Sequence, residues 1–158
     1  MEYQQLKELI PKNKNDFEPF PVLSTLSDEE IKPILPKLFE WIIDAHWPIA
    51  RSVVDILIKF PDIVIPEIKN ILNSNSDELN IDGLKHAVIY DLIPQLPVHL
   101  QKQHLLKDIM RILLCPTDDE VETGVWNCAK FFAERYYGKE VLKKLLAPPT
   151  TTTASSPK

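Results

Sequence analysis

Fourteen prolines stand against three glycines in this chain of 158 residues. Proline fixes φ and has no amide hydrogen, so it starts or stops helices and is kept out of central strands. Glycine supplies the positive-φ positions of tight hairpins. A chain rich in the first and poor in the second is cut into short pieces, yet is no hairpin-rich β protein. It also has no glycine loop to cradle a phosphate. No segment alternates polar and apolar residues for long. The pattern predicts an all-α fold with helices of about 10–18 residues joined by short loops.

The apolar spacing divides the chain into helices. Tyr3, Leu6, Leu9 and Ile10 mark a first short one that Pro11 ends, and Phe17–Pro21 reads as an extended connector. Ser27-Asp28-Glu29-Glu30 is a capping box, in which Ser27 and Glu30 each satisfy the other's amide. Behind it Ile31, Ile34, Leu35, Leu38, Trp41 and Ile42 share one face. Pro33 and Pro36 divide this stretch into a short turn and a main helix starting near Pro36. Trp47-Pro48 opens the next helix, whose seam is Ala50, Val53, Leu57 and Phe60 and whose end is Pro61. A further helix is expected with Pro66 near its start, followed by a polar turn over 73–77. Asp82 is the expected cap of a helix striped by Leu84, Ala87, Val88 and Leu92, which Pro94 and Pro97 break. Leu105, Ile109, Ile112 and Leu113 carry another that Pro116 stops. Thr117-Asp118-Asp119-Glu120 is a second capping box. It opens one long helix with the seam Val121, Val125, Cys128 and Phe132, ended by Gly138. A last helix over 139–146 turns Val141, Leu142 and Leu145 inward. Residues 1–147 thus read as one helical domain, and 148–158 as a low-complexity, disordered tail.

Three stretches repeat: Leu35-Pro36-Lys37-Leu38, Ile65-Pro66-Glu67-Ile68 and Ile93-Pro94-Gln95-Leu96. Their prolines are 30 and 28 positions apart, one helical hairpin per period. This predicts a short α-solenoid of stacked antiparallel helical hairpins.

Composition narrows the function. Hydrophobic residues make up 44% of the chain, enough for a core. The net charge of −5 works against nucleic-acid binding, which needs a positive field. No apolar run approaches the roughly 20 residues that span a bilayer, so no membrane partner is expected. Cys115 and Cys128 form no disulfide framework. They read as buried apolar residues of a soluble, cytoplasmic protein.

Several motifs resemble a known family: Leu9-Ile10-Pro11-Lys12-Asn13-Lys14-Asn15-Asp16, Leu26-Ser27-Asp28-Glu29-Glu30, and Leu38-Phe39-Glu40-Trp41 followed by Trp47-Pro48-Ile49-Ala50. Together they are similar to a group of HEAT-like helical-repeat domains catalogued as domain of unknown function five thousand and seventy-one. The resemblance covers about residues 6–146. It implies an all-α, HEAT-like stack and brings no activity and no catalytic residues.

Catalytic chemistry finds little footing. His99 and His104 are five apart and do not share a helical face. No His-Glu-x-x-His, Cys-x-x-Cys or Gly-x-Ser-x-Gly occurs. Acidic pairs such as Asp118-Asp119 are explained by helix starts. Neither cofactor, metal nor catalytic residue is therefore assigned. The first functional reading is a non-enzymatic protein-binding module, regulatory or immunity-like, for which a basic toxin or nuclease is one imaginable partner. Stacked hairpins line their groove with the second helix of each unit, here 48–60, 82–93 and 118–136. Arg51, Asp55, Lys85 and Glu122 face away from the seams of those helices, and Trp126 lies on the flank of the last. The alternative is an enzyme on a helical-repeat scaffold acting on nucleic acid or a small molecule. A passive structural subunit is a third.

Overall fold

The computed structural model describes residues 1–75 and 80–148; Ser76, Asp77 and all of the expected tail beyond Pro148 lie outside the described residues. The described residues form helices and no strands. In chain order the α-helices are α1 (Tyr3–Lys7), α2 (Phe20–Leu23), α3 (Asp28–Ile31), α4 (Leu35–Glu40), α5 (Ala50–Leu57) and α6 (Pro61–Leu72). They continue with α7 (Ile81–Ala87), α8 (Val98–Leu100), α9 (Leu106–Leu114), α10 (Asp118–Glu122), α11 (Val125–Tyr137) and α12 (Lys139–Leu146).

The proline and capping signals account for most of the boundaries. Ser27 accepts from the Glu30 amide and the Glu30 carboxylate takes the Ser27 amide, fixing the start of α3. A 3₁₀ turn over Lys32–Ile34 follows, and α4 begins with Pro36 in its first turn. Pro61 opens α6 immediately after α5. Pro66 sits well inside α6 rather than near its start. The Phe17–Pro21 stretch turns into α2 instead of running extended. Asn80, not Asp82, caps α7 by accepting from the Gly83 amide at 3.1 Å.

Two stretches are wider than an α-helix. Residues Val88–Leu92 continue α7 as a π turn, followed by a 3₁₀ turn over Ile93–Gln95. In an α-helix the Tyr90 carbonyl would receive the amide of residue 94, which is proline, and the ring would press on that carbonyl. The chain widens just ahead of that proline, where the Ile93 amide donates to the Val88 carbonyl. Gln101–Leu105 is a second π turn between α8 and α9.

The core runs the length of the chain, with Ile31, Leu38, Ile49, Leu57, Ile68, Leu72, Val88, Leu92, Ile109 and Val125 fully buried. The expected long seam on 118–136 is corrected. Val121 is exposed, Val125, Ala129, Phe132 and Ala133 are buried, and Cys128 is half-buried. The helix breaks at Gly124, where φ is +85°, so α10 and α11 have different phases. Likewise only Leu142 of the three expected α12 residues is buried; Val141 and Leu145 are exposed. Cys115 is exposed at the end of α9, not buried. The three repeated prolines occupy different positions: the start of α4, the inside of α6 and the terminal 3₁₀ turn of the α7 run.

Candidate functional site

Arg51 and Asp55 lie one turn apart on α5 with side chains 70% and 53% exposed, and their charges meet at 3.2 Å. Both stand on the surface, as the spacing requires. Glu122 is exposed on α10. Trp126 is half-buried: its indole N–H donates to the Leu113 carbonyl at 3.1 Å, and the Lys130 ammonium lies 5.6 Å from its ring centre. It covers the end of α9.

Lys85 is the exception. It is 1% exposed and cannot line an open groove. Its ammonium donates to Glu120 Oε2 at 3.2 Å, and Glu120 is itself wholly buried. Arg111 grips the same carboxylate with both terminal nitrogens, at 2.6 and 2.9 Å, and also donates to the Leu72 carbonyl. The Thr117 amide completes the set at 2.9 Å. Burial pushes the Glu120 pKa up, but the Arg111 bonds, the Thr117 amide and Lys85 outweigh it and bring it to about 2. A companion cluster joins Lys69 and Asn73 to Asp108 on α9 at 2.7 and 2.9 Å. These bonds are structural: both carboxylates are committed to neighbours inside the fold.

Another open face lies over α5, the π turn that continues α7, and α11. Arg51, Tyr90, Asp91, Gln95 and Ala45 line a pocket of about 160 Å³ over the buried Ile42, Ala50 and Val54. Asp91 is half-buried there; desolvation raises its pKa and Arg51 pulls it down. Tyr90, 63% exposed, stacks on Phe131 of α11 with ring centres 6.2 Å apart. Phe131 is 48% exposed, and the Arg135 guanidinium lies 5.9 Å from its ring. Arg135 in turn borders a shallow depression with Pro94, Val98, Phe132 and Tyr136. Arg51 to Arg135 is thus one continuous surface. Sequence reasoning points to these helices but misses Tyr90, Asp91, Phe131 and Arg135. The available signal was a pair of aromatics out of phase with their own seams.

Cys128 is a poor nucleophile here, since burial lifts its thiol to about 11. Among the described residues no group of three or more His, Cys, Asp or Glu is placed to hold a metal ion, and no helix is long and apolar enough to cross a membrane. A family model described as Domain of unknown function (DUF5071) matches residues 9–132. No curated protein matches the chain.

Proposed function

The chain belongs to the family described as Domain of unknown function (DUF5071), and from its own surface we propose that it is a non-enzymatic, HEAT-like protein-binding module. The observation that carries this reading is the exposed Tyr90–Phe131 stack with Arg135 at one side and the Arg51–Asp91 pocket at the other. Tyrosine and arginine concentrate binding energy at interfaces, and large aromatics left in water gain most by being covered. A HEAT-like stack is supported by packing order. The α7 run lies against α11, while α6 reaches past it to α9 and the π turn at 101–105. Alternate helices as side-by-side neighbours make two layers, the pattern of a helical solenoid. The face spans α5, the α7 run and α11, joined by the Arg51–Asp91 pocket and the Tyr90–Phe131 stack.

The net charge of −5 supports a protein partner over nucleic acid. Two unpaired thiols, one exposed, suit the reducing cytoplasm.

The test pairs Tyr90→Ala with Phe131→Ala in one variant and Val141→Ala with Leu145→Ala on α12 in another. Both are used as bait in native lysate beside the wild type, with captured proteins quantified by mass spectrometry. The first should lose its captured partners by at least about tenfold while the second keeps them. Equal recovery by both removes this face from the binding surface.

A further inference from the structure

We propose that the face built by Tyr90, Asp91, Phe131 and Arg135 binds a second copy of this chain in a two-fold dimer, Arg135 of each copy entering the pocket beside Asp91 of the other. This rests on the reading of that face as a binding surface and names its occupant. Three observations converge.

The first is an unmatched pair of charges. Among the described residues the Asp91 carboxylate accepts no hydrogen bond and forms no close ion pair, although it is half-buried in a pocket wall. Arg51, whose charge acts on Asp91 across the pocket, makes its close ion pair with Asp55 at 3.2 Å instead. Arg135 is exposed and makes no ion pair among the described residues; its guanidinium lies 5.9 Å from the Phe131 ring centre. The Asp91 oxygens are open to water, and a guanidinium is the donor set that fits such a carboxylate bidentately. The face therefore carries one free acceptor and one free donor.

The second is size. A pocket of about 160 Å³ is small beside the roughly 300–1,000 Å³ of ligand sites. It suits one side chain, whose stem would lie on Ile42, Ala50 and Val54 while its head meets Asp91.

The third is arrangement. The Tyr90–Phe131 stack lies between the pocket and Arg135. In a two-fold contact residue i meets j and j meets i. An axis through the stack therefore brings both unmatched pairs together and covers both aromatic pairs at once. Two chains of net charge −5 repel, so they meet best where charge is balanced: this face carries Arg51 and Arg135 against Asp55 and Asp91.

Sedimentation equilibrium of the full chain over a concentration series should show monomer passing to dimer. Asp91→Arg and Arg135→Asp should each weaken dimerisation by at least about tenfold. Mixed in equal amounts the two variants should regain wild-type dimerisation. One copy then supplies arginine at both positions and the other aspartate at both, so each contact again pairs opposite charges. Circular dichroism melts check that each is folded, and Asp91→Asn replaces Asp91→Arg should the latter not fold. A wild type that stays monomeric throughout, or a dimer indifferent to both variants, overturns the proposal. Should the wild type stay monomeric while Tyr90→Ala with Phe131→Ala still abolishes capture from lysate, the binding face stands and its occupant is another protein.

Discussion

Glu120 shows how one buried carboxylate ties four segments together. Arg111 brings α9 and, through the Leu72 carbonyl, the end of α6; Lys85 brings α7; the Thr117 amide closes the start of α10. Removing the carboxylate leaves two cations facing each other, Lys85 fully buried and Arg111 half-buried, and Glu120→Ala should cost roughly 3–5 kcal/mol in chemical denaturation. Lys85→Met is milder, since Glu120 keeps Arg111 and the amide, and should cost under about 1.5 kcal/mol. The same residue sets an acid limit. Its folded pKa of about 2 lies below the ordinary 4.5, so its stabilisation is complete above 4.5 and disappears as pH falls toward 2. Denaturation midpoints taken down this range should fall more steeply for the wild type than for Glu120→Gln. None of this is legible at position 85. A lysine off the apolar stripe reads as solvated, and its partner stands 35 positions away. Arg51 and Asp55, a local pair, are legible because an i, i+4 spacing settles their neighbourhood.

Elements are legible where a local signal fixes them and obscure where the backbone changes pitch. Both capping boxes form, because each needs only four consecutive residues. The α10–α11 junction escapes the pattern, since Val121, Val125, Cys128 and Phe132 keep helical spacing across a break. Gly124 is that break, with φ at +85°. A Cβ there would meet His86 ring atoms only at 3.5 Å, so any penalty comes from the backbone and not from crowding. Gly124→Ala should destabilise by about 1–2 kcal/mol, and Gly124→Asn by less, because asparagine tolerates this region. Phase makes a second contrast. Phe132→Ala empties a buried site and should cost roughly 3–5 kcal/mol, whereas Val121→Ala, at a 53% exposed position, should cost under about 0.5 kcal/mol. Equal denaturation midpoints for these two would restore a single continuous helix. The π turn before Pro94 escapes the sequence for a related reason: the proline announces a stop, not how the preceding turn widens to meet it.

At the scale of the molecule, packing order and cross-links pull in different directions. A stack in which each helix touches only near neighbours lets its ends open independently. Against this, Lys69–Asp108, Asn73–Asp108, Arg111–Leu72 and Lys85–Glu120 each span 35 to 39 positions and bind α6 to α9 and α7 to α10. The middle of the chain should therefore open as one unit, while α12, with only Leu142 deeply buried, is joined chiefly through α11. Amide hydrogen exchange should reveal this gradient, with slowest exchange in α6 and α9 and fastest in α12, because local opening follows the contacts that must break. Glu120→Ala should then shorten protection in α6, α7 and α9 together and leave α12 unchanged. Protection lost only at α10, next to the substitution, would show that the ion cluster steadies one turn and does not couple α6, α7 and α9.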